Sequence, residues 1–206
     1  MKDALHLSMR LVLSDLPAEA RILCVGVGAG AELFYLAGEF PRFSFTVVEP
    51  AAEMLDACRS RAEDSGIGSR CDFHQGGVDT LPASDPYDAA TAILVSHYLG
   101  DRDARREFFR SIAARVRPHG LLVNADLAAN RDDPGYASLI DAWQSMLVFS
   151  GMSEADAEKQ ARRFDEKQIA LPLAEIEAII TSSGFGEPSL FFQTLLIHAW
   201  LSRRTG

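Results

Sequence analysis

Paired cysteines, lysine and long apolar runs are all scarce in this chain, and each scarcity narrows what it can be. Cysteine occurs only at Cys24, Cys58 and Cys71, an odd number without C-x-x-C spacing. Neither a disulfide framework nor a zinc site is signalled, and no metal is expected. Lysine occurs only at Lys2, Lys159 and Lys167, and 20 basic residues stand against 29 acidic ones for a net charge of −9. That sign disfavours nucleic acid, whose affinity for proteins comes largely from neutralised phosphates. No apolar run reaches the roughly 18 to 20 residues that a membrane helix needs. The opening MKDALHLSMRLVLSDLP interrupts its apolar stretch with Asp3, His6 and Arg10 and has no small-residue cleavage site, so it does not read as a signal peptide. These absences lead to an expectation of a cytoplasmic protein with a small-molecule ligand, no membrane and no nucleic-acid partner.

What is present is material for a core. The chain has 206 residues, 48% hydrophobic and 24% charged, a packed globular composition. Short apolar runs at 22–25, 45–48, 89–95 and 121–125, with a weaker one at 70–74, read as strands covered on both faces. Between and after them, 31–40, 51–64, 102–117 and 173–183 have helical apolar spacing, with Gly66, Gly120 and Gly184 where terminators belong. The pattern predicts an α/β fold, Rossmann-like and doubly wound, with a mostly parallel sheet. At the end, runs at 189–192 and 195–201 follow each other with no room for a crossover, so they pair antiparallel and give a reversed C-terminal edge strand.

The expectation is one domain over 1–206 with a helical insertion, or lid, at about 128–170. There Leu139, Trp143, Met146 and Leu147 form an apolar stripe, Pro134-Gly135 makes the entry turn, and Ser153 with Asp156 opens a second helix toward Lys167.

The chemistry concentrates after the first strand. Gly26, Gly28 and Gly30 alternate between a strand and a helix, where missing side chains let backbone approach a ligand and the helix start offers unpaired N–H groups. Nineteen residues after Gly30, the second strand ends in Glu49, a carboxylate suited to both hydroxyls of a ribose, followed by Pro50. Met54 lies one turn into the next helix, placed either against an adenine ring or in the core. A nucleoside-bearing cofactor follows. Gly26-x-Gly28-x-x-Ala31 also satisfies the dinucleotide fingerprint, so an NAD-dependent oxidoreductase stays as an alternative, although no Tyr-x-x-x-Lys is present.

The pieces ILCVGVGAG (22–30), FTVVEPAAEML (45–55), FHQGGVDTLP (73–82), YDAATAILVSHYL (87–99) and IAARVRPHGLLV (112–123), in this order, resemble the class I S-adenosylmethionine-dependent methyltransferases. The resemblance implies S-adenosyl-L-methionine as cofactor and a small-molecule methyl acceptor. It assigns Gly26, Val27, Gly28 and Gly30 to the methionine moiety, Glu49 and Pro50 to the ribose side, Gly77 and Val78 to adenine, and Ala92 and Ile93 to the end of the fourth strand. In this family an Asp often stands where this chain has Gly77; here backbone or Asp79 would replace it. A binding protein without transfer, or an enzyme resembling carboxy-S-adenosylmethionine synthases, is a further alternative.

His97 follows the fourth strand, where open α/β sheets bind ligands, and either takes a proton from the acceptor or packs beside the cofactor. His6 is a second candidate near the start. Tyr98, Tyr136, Trp143 and Phe149 are candidate acceptor walls.

Overall fold

Each central strand is apolar at successive positions because helices cover both of its faces. The structure is a computed structural model and describes residues 2–166 and 170–206. Its elements run α1 (Lys2–Leu13), β1 (Arg21–Val25), α2 (Ala31–Glu39), β2 (Ser44–Glu49), α3 (Ala52–Asp64), β3 (Cys71–Gln75), β4 (Tyr87–Ile93), α4 (Arg102–Ala113), β5 (Val116–Leu127), α5 (Tyr136–Phe149), α6 (Glu154–Glu166), α7 (Leu173–Ser182), β6 (Ser189–Thr194) and β7 (Ile197–Arg203).

The strands pair in the order β3-β2-β1-β4-β5-β7-β6. The first five are parallel, and β7 runs antiparallel to both of its neighbours. The doubly wound α/β sheet is therefore present, and so is the reversed C-terminal strand, one place in from the edge. Residues 195–196 are too short for a crossover, so β6 and β7 must lie side by side. The strand buried along most of its length, β7, takes the interior place and the half-exposed β6 the rim. Strand order reverses around β1, so the crevice at the carboxyl ends of β1 and β4 is where such a sheet binds ligands.

Alternation along β1 divides the core. Ile22 and Cys24 pack with Leu5, Met9 and Leu13 of α1 and Leu33 and Leu36 of α2, whereas Leu23 and Val25 pack with Phe109 and Ile112 of α4 and Ile176 and Ile180 of α7. The 4-residue spacing of Leu5, Met9 and Leu13 makes α1 a cover for one face of the sheet.

Several boundaries differ from the sequence reading. The helix expected over 102–117 stops at Ala113, because Val116 already pairs with Tyr87 and Pro118 has no N–H for a helix. Gly120 is not a helix stop but part of a bulge in β5: a Cβ there would meet Val116 Cγ1 at 2.5 Å and the Asp88 carbonyl at 2.8 Å. The strand expected to reach residue 95 ends at Ile93, since Leu94 turns left-handed at φ 59°. Gly66 and Gly184 do follow their helices with positive φ.

Within 128–170, α5 and α6 supply the two expected helices, and Ser153 Oγ accepts from the Asp156 N–H at 3.2 Å at the start of α6. Trp143 and Phe164 pack ring to ring, centroids 4.9 Å apart, in a small cluster with Leu127 and Ile197. Lys167 lies outside the described residues.

Candidate functional site

The three glycines after β1 all have positive φ, 65° at Gly26, 54° at Gly28 and 85° at Gly30, a backbone that other residues adopt only with strain. Their surroundings differ. A Cβ on Gly26 would strike Val95 at 2.6 Å and one on Gly30 would strike Phe34 at 2.7 Å, but one on Gly28 would meet only Met54 Sδ at 3.8 Å. Gly26 and Gly30 are thus held by packing, and Gly28 lies beneath open space at the carboxyl end of the sheet.

Glu49 is buried at the end of β2 and braces this loop. Its Oε2 accepts from the Gly28 N–H at 2.9 Å and its Oε1 from the Ala51 N–H at 3.0 Å. A carboxylate has about four acceptor positions, so lone pairs remain for a diol. Next to it lies a cavity of about 490 Å³ that includes Gly26, Pro50, Gly77, Val78, Asp79 and Val95 among its walls. The Asp79 carboxylate folds back to where a side chain on Gly77 would begin.

The turn after β4 borders two cavities at once. Val95 and Leu99 line the first, while Leu94, His97 and Tyr98 line a second of about 600 Å³, closed by Trp143, Met146 and Leu147 of α5 and by α6. His97 is buried, and its Nδ1 lies 2.7 Å from Oδ1 of Asp126, which is fully buried on β5. The same carboxylate accepts from Ser96 Oγ and, at 2.8 Å, from the Leu127 N–H. In the neutral ring, Nδ1 donating to a carboxylate leaves Nε2 as the acceptor.

Residues 22–120 match the family model described as a methyltransferase domain. Over those 99 residues, just under half of its length, the chain is similar to the class I S-adenosylmethionine-dependent methyltransferase family. It is 30% identical over 129 residues to a fatty-acid O-methyltransferase of Mycolicibacterium smegmatis, a match covering 62% of this chain and 44% of that protein. It is 23% identical over 208 residues to a carboxy-S-adenosyl-L-methionine synthase of Wolinella succinogenes, covering 98% of this chain and 83% of that one. The chain thus spans under half of the first relative and most of the second. An O-methyltransferase family protein of Burkholderia thailandensis shares the fold, with a TM-score of 0.68 at 18% identity over 99% of this chain and 59% of that one.

The cofactor of this methyltransferase family is S-adenosylmethionine, and the residues at the crevice fit it: an open glycine loop, an acid with lone pairs to spare, and an adjoining cavity with apolar walls. Of the residues expected to hold it, Gly26, Pro50, Gly77 and Val78 line that cavity, and Glu49, hydrogen-bonded to Gly28, is flanked in sequence by the lining residues Val48 and Pro50. Met54 is exposed beside Gly28 and is not core. Val27 and Ala92 are buried in the two main core clusters, and Ile93 is half-buried at the end of β4; none of the three lines the cavity.

Of the expected acceptor walls, Tyr98 and Trp143 line the second cavity. Tyr136 instead donates from its hydroxyl to Asp165 Oδ1 at 2.9 Å, and burial together with that carboxylate pushes its pKa up to about 12. Phe149, at the end of α5, is 94% exposed and does not line that cavity. His6 stacks on Tyr35 across α1 and α2, centroids 4.8 Å apart.

Two acids at the site escaped the sequence reading. Asp126 stands inside LLVNADLAA, where a lone carboxylate in a run that must be buried was the available signal. Glu32, in the first turn of α2, is buried, and desolvation followed by repulsion from Glu49 raises its pKa to about 8. Nothing in its local spacing sets it apart from an ordinary acid at a helix start.

Proposed function

We propose that this chain transfers a methyl group from S-adenosylmethionine to an oxygen of a small-molecule acceptor held in the second cavity. The observation that carries this reading is the buried His97–Asp126 pair, at 2.7 Å, in a turn shared by the cofactor cavity and a second, largely apolar one. Bound at the glycine loop, the cofactor supplies a methyl group on a positively charged sulfur. His97 Nε2 takes the proton from the acceptor hydroxyl as its oxygen receives the methyl group. Asp126 holds the imidazole in the accepting tautomer and lies opposite the positive charge that the ring then carries. Trp143, Met146 and Leu147 give the acceptor side an apolar wall.

Tritiated cofactor, incubated with a panel of phenols, alcohols and acids, should deliver label to an organic product. Replacing His97 by Ala should slow that transfer by roughly 10²–10⁴-fold with the affinity for the cofactor kept. Turnover unchanged in that variant would remove His97 from the chemistry and leave positioning as the whole mechanism.

A second reading draws on the match to the carboxy-S-adenosyl-L-methionine synthase, which extends over 98% of this chain. On that reading the cofactor itself is the product's skeleton. Mass spectrometry separates the two, since methyl transfer releases S-adenosylhomocysteine and synthase chemistry yields a heavier, carboxylated nucleoside.

A further inference from the structure

We infer that the acceptor is an amphipathic hydroxy acid: its anionic group is held by Lys159 and Arg163 of α6, its apolar body lies on α5 and the ends of β5 and β7, and its hydroxyl faces His97. The assignment rests on the methyltransferase reading above and names the substrate class for the same site.

The cavity of about 600 Å³ has two chemically distinct parts. Leu94, Leu127, Trp143, Met146, Phe164 and Ile197 give it an apolar lining, and His97 lines the same cavity. The charged part of the lining comes from α6, where Lys159 and Arg163 are four residues apart and so share one helix face.

Other arginines nearby are matched: Arg131 pairs with Asp165 at 2.9 Å and Arg162 with Glu158 at 3.4 Å. Lys159 and Arg163, by contrast, make no ion pair or side-chain hydrogen bond among the described residues, and both line the cavity. The one acid in the lining, Asp156, is engaged by Ser153 Oγ at 2.7 Å. Two cations that make no ion pair among the described residues, beside an apolar chamber in a protein of net charge −9, form a local site for a carboxylate that the protein as a whole repels. An arginine and a lysine together give a forked donor and a point charge, a donor set suited to a carboxylate. Cavities of roughly 300 to 1,000 Å³ suit acceptors of metabolite size.

The test uses two pairs of probes, 4-hydroxycinnamate and 10-hydroxydecanoate, each with its methyl ester, on the full chain saturated with S-adenosylhomocysteine. Binding is read from Trp fluorescence and calorimetry, and methyl transfer separately with labelled cofactor. At least one acid should bind about 10-fold or more tightly than its ester, and added salt should shrink that preference because both cations are solvent-facing. The double variant Lys159→Ala, Arg163→Ala should abolish the preference without moving cofactor affinity, and Arg163→Lys alone should retain most of it. Mass spectrometry of any product should place the methyl group on the hydroxyl and not on the carboxylate.

Esters binding as well as acids, or neither binding, overturns the inference, as does a methylated carboxylate as product. Acid preference that survives the double variant overturns it as well. If acids bind as described but no label moves to them or to any acceptor, the cation site stands and the methyltransferase reading falls.

Discussion

Glu49 carries two duties with one carboxylate: it fixes the glycine loop through the Gly28 N–H and keeps lone pairs for a ribose. Glu49→Ala should weaken cofactor binding by about 1.5 to 3 kcal/mol, the range for hydrogen bonds to a charged group. Calorimetry checks this, and unchanged affinity would remove Glu49 from the site. Its neighbour Glu32 makes a different prediction. With a folded pKa of about 8 against an ordinary 4.5, the folded protein keeps a proton that the unfolded chain releases. Stability from this residue is intact below the unfolded value and falls as pH rises toward the folded one, by at most about 1.4 kcal/mol per pH unit. Glu32→Gln should remove that slope. Urea unfolding of both proteins at pH 5 and pH 8.5 decides it, and identical slopes would show that Glu32 is ionised in the fold. The same burial raises the thiols of Cys24 and Cys58, the latter to about 11, so both are packed, protonated side chains and not reactive ones.

At the scale of elements, the glycine loop and the turn after β4 are coupled, because Val95 sits where a Gly26 side chain would be. Gly30→Ala should destabilise the protein by about 1 to 3 kcal/mol, through a strained φ and a clash with Phe34 and Cys58. Gly28→Ala has room for its methyl group, so its cost to folding should be smaller and its main effect a loss of cofactor affinity. Denaturant midpoints and calorimetry on the pair separate the roles, and equal effects of the two on both readouts would contradict the division. Leu94, left-handed at φ 59°, is the strained link that ends β4 and sends Val95 and His97 to different cavities. Helices α5 and α6 matter here because they turn the end of the sheet into a chamber.

For the molecule as a whole, the sheet order separates the two nucleotide classes that the glycine fingerprint left open. The common dinucleotide sheet continues 3-2-1-4-5-6 with a parallel sixth strand, whereas here the antiparallel β7 occupies that place. S-adenosylmethionine or S-adenosylhomocysteine at 100 times its dissociation constant should stabilise the fold by about 2.7 kcal/mol, visible as a rise in melting temperature. NAD should give none, and stabilisation by NAD alone would reverse the cofactor assignment.

The strands, the glycine loop and Glu49 were legible in the sequence because each is written in adjacent residues: an apolar run, alternate glycines, an acid at a strand end. The chain's own pattern determined a doubly wound sheet and a nucleoside cofactor. What the sequence could not determine depends on residues far apart along the chain. Asp126 lies 29 residues from His97, and α6 a further 28 or more beyond it, so no local spacing joins them. The parallel pairing of β4 with β5 brings that histidine and that carboxylate together, and the packing of α5 and α6 over the strand ends encloses the chamber beside them. Tertiary structure alone decided that His97 has a partner and faces a second cavity, since through-space contacts between distant segments exist only once the sheet has formed.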